Sequence, residues 1–347
     1  MPRRAIPVLV GVAALVAAIV WWLRDSGPRV PESNRIAVMP IAPPVLDPPL
    51  LWVARGIAIA LAADLEGVPG VTVVDAGTLL AQPAGPNGGF TMESAASLAR
   101  RFGATAMVHG TITRKSNLLQ VDIGLYSTAD HRTISRILIT APGDSLRAIA
   151  DSAVRALLGG TAGPGLKAGT SRDPAALRAF LEGEQRLITW DFESAARAFR
   201  AATASDSTFA LAWSRLGWIA RWTAAGDSMA VAAATRFQDR LSRRERAHLD
   251  AFTTPTNAAG LAQRSERLRT LTATYPDDWM AWLDYAHAVL ASGPTSGLPS
   301  TQAADAFGKA VSLNPGIKAA WPRLLTLGQF RRDSAAFADA IAQAPYR

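Results

Sequence analysis

The side chains that most often catalyse reactions or bind metals are scarce in this chain of 347 residues. It has no cysteine, which excludes disulfides, iron–sulfur clusters, thiolate zinc sites and a cysteine nucleophile. Its four histidines lie far apart in the sequence, at His109, His131, His248 and His287. A metal centre needs several ligands close together, and a histidine base needs a partner that orients it. We therefore predict no metal site, no cofactor site and no catalytic residue.

One pair of adjacent carboxylates is a candidate for acid–base chemistry. Asp277 and Asp278 follow Pro276 at the point where a helical pattern begins. Acidic residues at the start of a helix accept hydrogen bonds from its free amides and interact favourably with its dipole, so this position favours N-capping over catalysis. No nucleophile, base and oxyanion-stabilising donor can be combined elsewhere in the sequence. The sequence therefore predicts a protein that is not an enzyme.

The charged clusters predict solvated surfaces and no nucleic-acid partner. Glu182 and Glu184 lie among arginines, as on an exposed helix face. The arginine-rich segment 240–246 has Asp239, Glu245 and Asp250 within or beside it and predicts a second exposed helix face. The net charge of +8 is spread along the whole chain, whereas nucleic-acid binding needs a basic stripe on one element.

The first 24 residues predict a membrane anchor. Residues 5–23 carry no charge, and such a helix is just long enough to cross a hydrocarbon core of about 30 Å. Arg3 and Arg4 precede it, and Trp21 and Trp22 close it, so we expect a cytoplasmic N-terminus and indoles at the opposite headgroup layer. A cleavable signal peptide is the alternative, but bulky residues follow the stretch where cleavage needs small ones. An uncleaved anchor would place the remainder outside the cytoplasm, which in a bacterium is the periplasm.

Residues 34–160 predict a small mixed sheet with helices packed on it. In the segment 118–127, Leu119, Val121, Ile123 and Leu125 alternate with more polar residues, as in a strand with one buried face. Short turns separate this segment from its neighbours, which indicates hairpins. The predicted order is β-α-β-α-β-β-β-α, with strands at 35–41, 71–75, 104–114, 118–127 and 132–140 and a final helix at 145–158.

Beyond a Gly-, Ser-, Thr- and Pro-rich linker at 161–173, residues 174–347 predict helical repeats. Tetratricopeptide (TPR) repeats have the patterns W-x2-L-G and A-x3-F-x2-A in their first and second helices. The segment 195–202 fits the second pattern, 213–217 fits the first in register with it, and 303–310 repeats the second. This half of the chain resembles a degenerate TPR array of four to five helical hairpins. The predicted fold class is thus α+β: a transmembrane helix, a mixed-sheet domain and an all-α array.

Seven of the ten tryptophans fall in this array. Most are expected at core positions of the repeats. Trp218 and Trp222, four residues apart on one helix, are instead the candidate partner contact, because exposed tryptophans concentrate binding energy at interfaces.

The mixed-sheet domain resembles a module of bacterial extracytoplasmic proteins. The resemblance is carried by RIAVMPI at 35–41, VTVVD at 71–75 and LARRFGATAMVHGTITR at 98–114. Similar modules occur in the TolB N-terminal domain, in FlgO-like flagellar proteins, and between the membrane helix and TPR array of some bacterial serine/threonine kinases and cyclases. The resemblance implies a role in protein contact or sensing. No kinase or cyclase domain precedes the membrane segment in this sequence, so no signalling output is implied.

Two functions follow as expectations. The first is a non-catalytic scaffold on the periplasmic face of the inner membrane, held in the lipid bilayer by one helix. It would be an accessory or structural subunit of a larger complex, such as a photosynthetic or respiratory assembly, and its partners would be other subunits or periplasmic proteins. The alternative is a periplasmic sensor or adaptor of a signalling system that binds a peptide or a small ligand.

Overall fold

The computed structural model describes residues 35–143, 145–159, 171–223, 228–255, 257–296 and 298–320. The predicted membrane anchor with Arg3, Arg4, Trp21 and Trp22 lies outside these residues, as do most of the predicted linker and the end of the array. The described part is α+β, with a five-stranded mixed sheet and a mainly helical remainder.

Residues 35–159 form the α/β unit, which follows the predicted order of strands and helices with one addition. Its strands are β1 (Arg35–Val38), β2 (Thr72–Val73), β3 (Ala106–Lys115), β4 (Leu118–Ser127) and β5 (Thr133–Pro142). Its helices are α1 (Pro48–Glu66), α2 (Ala76–Leu80), α3 (Met92–Arg101) and α4 (Leu146–Leu157). The short helix α2 is absent from the prediction. It begins at Asp75, whose side chain accepts a hydrogen bond from the Thr78 amide at 2.6 Å.

The sheet has the order β2-β1-β3-β4-β5. Strand β1 is parallel to both neighbours, and β3, β4 and β5 form an antiparallel meander. Side chains alternate across the sheet, since Ile36 and Val38 belong to the large core beneath α1 and α4, whereas Ala37 and Met39 pack with α3 on the opposite face. Gly110 in β3 admits no side chain, because a Cβ there would lie 2.1 Å from the Asp122 carbonyl oxygen of β4.

Helix α1 is the central helix of this core. By length and composition alone, it is long and apolar enough to cross a membrane. In the structure 67% of that segment is buried inside the protein, which is typical of a core helix. Asp47 begins it by accepting a hydrogen bond from the Leu50 amide, and prolines occupy its first turn, where their missing N–H groups have no cost.

Residues 174–320 form the helical array, in which consecutive helices pack side by side. Its helices are α5 (Pro174–Ile188), α6 (Phe192–Ser205), α7 (Ala210–Trp222), α8 (Ser228–Arg236), α9 (Arg243–Phe252), α10 (Ala258–Thr274), α11 (Trp279–Ser296) and α12 (Ser300–Leu313). Short 3-10 turns lie at Gln238–Arg240 and Pro315–Ala320. Gly183 lets α5 and α6 approach closely, because a Cβ there would lie 2.5 Å from the Phe199 ring.

Candidate functional site

The array contacts the α/β unit mainly through the alternate helices α5, α7, α9 and α11. Arg178 of α5 lies over the ring of Trp52 in α1, at 5.5 Å from its centroid. Residues of α7 and α9 line a cavity together with α1, and the Trp279 indole at the start of α11 lies against Gly77 of α2. The face that these alternate helices form is filled by the chain's own helices α1 and α2.

Arg244 of α9 is the centre of the junction, and its side chain is only 4% exposed. Its Nε lies 2.9 Å from Glu66 Oε1, its Nη1 lies 3.3 Å from Asp75 Oδ1, and its Nη2 donates to the Val73 carbonyl oxygen at 2.5 Å. The guanidinium also lies 4.6 Å from the centroid of the Tyr275 ring. The prediction of a solvated face for segment 240–246 is therefore wrong for Arg244, because the acids that pair with it come from the α/β unit.

Asp277 ties α2 and β1 to the array. Its carboxylate pairs with Arg35 and accepts a hydrogen bond from the Asp75 amide at 2.5 Å. The Thr78 hydroxyl donates to the Asp277 carbonyl oxygen at 2.7 Å. The adjacent Asp278 accepts a hydrogen bond from the Ala281 amide at 3.0 Å, which confirms the predicted N-cap for this residue. Asp277 has a different role, since its partners belong to the other unit.

Three further ion pairs extend the junction into the array. His248 Nε2 lies 2.8 Å from Asp278 Oδ2. Arg215 of α7 donates to Glu184 at 2.8 Å and to both oxygens of Glu245 at 2.8 and 2.9 Å. The side chain of Glu184 is 12% exposed, so its predicted solvated position is wrong, although Glu182 is exposed as expected. Packing against α7 buries Glu184 on the side of α5 that faces inward.

Carboxyl groups outnumber the basic groups in this junction. Burial raises the pKa values of Glu66, Asp75, Glu184 and Asp284. Burial acts in the same direction on Asp278 and in the opposite one on His248, but their mutual attraction outweighs it, so the pKa of Asp278 is lowered and that of His248 is raised. The charged state of this pair is therefore favoured, while burial opposes the charged forms of Glu66, Asp75, Glu184 and Asp284.

These shifts predict a pH dependence of stability. A raised His248 pKa contributes stability that is fully present below pH 6.5, its ordinary pKa, and is lost as the pH rises through the folded-state value. The raised pKa values of Asp75 and Glu66 also make the protein less stable as the pH rises. The lowered pKa of Asp278 has the opposite effect, because the stability that it contributes is lost under acidic conditions, below pH 3.8. Urea unfolding between about pH 5 and pH 9 should therefore show a decline in free energy toward alkaline pH.

The variant His248→Gln should weaken that decline, because it removes one of the groups whose pKa is raised in the folded protein. His131→Asn is the matched control, since His131 has a φ of +59°, which asparagine tolerates, and it lies in the β4–β5 turn. Equal pH profiles for wild type and His248→Gln would contradict the assignment.

The junction consists of buried ion pairs around a small cavity. The cavity beside Arg215 and Arg244 measures about 60 Å³, which is room for a few water molecules. The described residues contain no group of three or more histidine or acidic side chains that could hold a metal ion. The buried ion pairs hold the α/β unit and the array together, because each buried charge needs its partner.

Trp218 and Trp222 do not form a partner contact in the described structure. Trp218 is fully buried and Trp222 is 3% exposed. They stack with Trp190, Phe192 and Trp279 in an aromatic cluster, with ring centroids 4.3 to 6.3 Å apart. The Trp218 indole donates to Asp284 at 2.8 Å. The predicted contact is thus corrected to a core position, because neighbouring hairpins cover both rings.

Two open grooves lie between helices of the array, and neither was predicted from the sequence. One, of about 310 Å³, lies between α6 and α7, with Leu216 and Ile219 at its floor and Arg197 and Arg200 at its rim. The other, of about 440 Å³, lies between α9 and α10 beside Tyr275. Both arginines are exposed on α6, and their spacing of three residues places them on one helix face. That spacing is the sequence feature from which a pair of exposed arginines on one face of α6 could have been predicted.

The sequence matches no protein-family model, and no similar curated protein was found. The junction and the grooves are therefore the features from which a function is proposed.

Proposed function

We propose that the protein is a non-catalytic, membrane-anchored scaffold on the periplasmic face of a bacterial inner membrane. It would serve as an accessory or structural subunit of a larger membrane complex. The observation that carries this proposal is the buried junction around Arg244 and Asp277, which joins the α/β unit and the array into one body. A rigid body with open grooves between its helices is suited to holding partners in fixed positions.

Two sequence features support the location and the type of surface. The uncharged segment 5–23 with flanking Arg3, Arg4, Trp21 and Trp22 supports a single membrane-spanning helix with the bulk of the chain outside the cytoplasm. The TPR-like pattern supports protein–protein contact, since such arrays act mainly as binding surfaces. Because the face formed by alternate helices is filled by α1 and α2, we place the partner contact at the α6–α7 groove.

The direct test is purification of the tagged full-length protein from its native membrane in mild detergent, followed by mass spectrometry. The proposal expects integral-membrane partners in stoichiometric amounts. Recovery of the protein alone, or with substoichiometric soluble proteins only, would contradict the scaffold and favour a transient sensor or adaptor.

Charge reversal at the groove should separate specific contact from general stickiness. The double variant Arg197→Glu/Arg200→Glu should reduce partner recovery about tenfold, because charges at an interface rim control association with a complementary surface. The matched control is Arg101→Glu/Arg132→Glu, which makes the same change in charge at exposed positions of the α/β unit. An equal loss of partner recovery in both double variants, with unchanged melting temperatures, would show that the partner does not bind at the α6–α7 groove.

A further inference from the structure

Arg55 of α1 is a half-buried cation without a counterion among the described residues. It has no hydrogen bond or ion pair with any residue that the structure describes. Burial lowers the pKa of Arg55, and no carboxylate opposes that effect. Arginines that leave the surface are nearly always paired, since desolvation of an isolated charge is costly. The unpaired guanidinium therefore needs an explanation in terms of what approaches it.

Arg55 faces a pocket of about 300 Å³. The pocket lies between α1, the proline-rich loop before it and the loop 81–89, and Leu46, Leu51 and Leu80 supply apolar walls. None of its lining residues is acidic. It thus combines one cation with an apolar surface, which is the composition of a site for a ligand with an anionic end.

The pocket is built by loops that hold each other in place. The Asn87 side chain donates to the Pro43 carbonyl oxygen at 2.9 Å and so joins the two loops. Gly88 has a φ of +79°, and a Cβ there would lie 2.8 Å from Leu51, so glycine allows the loop to close against α1. Gln82 donates to the carbonyl oxygens of Thr78 and Leu313 at 3.1 and 2.9 Å, which fixes the inner wall against the array. The pocket is therefore formed before any ligand enters.

Apolar side chains continue outward from its mouth. Leu46 is 55% exposed, and the adjacent Val45 is 78% exposed. Large apolar side chains left in water beside a pocket often mark a surface that a ligand covers.

We propose that this pocket binds a small organic anion, with its carboxylate or phosphate on Arg55 and its apolar part against Leu46, Leu51 and Leu80. The planar guanidinium matches both head groups through paired hydrogen bonds. The proposal is independent of the scaffold function, because Arg55 lies in neither groove of the array. A bound anion would give the chain the ligand that the sensor hypothesis requires.

The test is calorimetric titration of the full-length chain in non-ionic detergent with hexanoate and hexyl phosphate. The neutral analogue hexanol and the head group alone, as acetate or inorganic phosphate, complete the series. We expect the amphiphilic anions to bind at least about tenfold more tightly than hexanol or either head group, because both parts of the pocket must be filled. Hexanol that binds as tightly as hexanoate would overturn the anion site.

Variants of Arg55 assign the binding to the pocket. Arg55→Met should weaken hexanoate binding at least about tenfold, and Arg55→Lys, which keeps the charge but loses the planar fork, should fall between Met and wild type. Arg101→Met is the control at an exposed position. Unchanged hexanoate binding by a folded Arg55→Met protein would overturn the proposal. If Arg55→Met does not fold, the proposal is overturned when Arg55→Lys binds hexanoate as tightly as wild type and hexanol displaces hexanoate.

A bilayer lipid and a soluble metabolite share this chemistry, and nanodiscs distinguish them. If an anionic lipid head group occupies the pocket, hexanoate binding should be lost in discs of anionic lipid and present in discs of zwitterionic lipid. If the ligand is soluble, binding should be equal in both. Either pattern, when abolished by Arg55→Met, supports the site, whereas hexanoate binding in neither disc overturns it.

Discussion

Replacing Arg244 with methionine should lower the free energy of unfolding by about 3–5 kcal/mol, the usual cost of removing one member of a buried ion pair. Methionine keeps much of the side-chain volume, so the effect is mainly electrostatic. Without the guanidinium, Glu66 and Asp75 lose their ion-pair partner and the Val73 carbonyl oxygen loses its donor. All of these groups lie at the junction of the α/β unit and the array, where water cannot replace the arginine fully.

The measurement is equilibrium urea unfolding at neutral pH, compared with Arg243→Met. Arg243 is the preceding residue on the same helix and is exposed, so its replacement should change stability by no more than about 0.5 kcal/mol. A double variant that also carries Glu66→Gln should recover part of the loss, since it removes one of the stranded charges. Equal stability of Arg244→Met and Arg243→Met would show that the junction does not hold the two units together.

Replacing Trp218 with alanine should cost about 3–5 kcal/mol, as expected for a large aromatic side chain removed from a core. Trp218 is fully buried and contacts the rings of Trp190, Trp222 and Trp279, which come from the turn between α5 and α6, from α7 itself and from the start of α11. The substitution would open a cavity among these rings. It would also leave Asp284, which is 5% exposed, without the indole N–H that donates to it.

Thermal and urea unfolding of Trp218→Phe separates the two contributions. Phenylalanine keeps most of the ring packing but cannot donate to Asp284, so its cost should be about 1–3 kcal/mol, that of one unsatisfied buried group. Leu138→Ala is the surface control, because Leu138 is 62% exposed. A stable Trp218→Ala protein that has lost only its partners would restore the contact first expected of this residue.

The local elements of the α/β unit were predictable because their causes lie within a few residues of each other. The alternation of Leu119, Val121, Ile123 and Leu125 predicts strand β4, which forms with these side chains buried. Helix α3 begins at Thr91, a residue type that favours N-caps, and its hydroxyl oxygen accepts a hydrogen bond from the Ser94 amide at 3.2 Å. Gly103 follows the end of that helix with a positive φ of +72°, which glycine adopts readily.

The candidate site was less predictable, because a charged residue in a helical pattern looks the same whether it faces water or another unit. Arg244 and Glu184 have the sequence context of exposed residues, yet both are withdrawn from solvent. Trp218 and Trp222 have the spacing of a contact surface, yet adjoining helices cover them. In each case the deciding partner lies outside any local window, and hydrophobic periodicity carries no information about it.

The strands, most of the helices, many of their caps and the change from a sheet to paired helices were predictable from the sequence, since these depend on backbone propensity and on neighbours three or four residues away. Tertiary structure alone decided which charges are buried and which grooves remain open. The Arg35–Asp277 pair joins residues 242 positions apart, and the Arg244–Val73 hydrogen bond spans 171. Such contacts exist only after the array has packed around α1 and α2, because only that packing removes water and leaves each buried charge to find its partner within the protein.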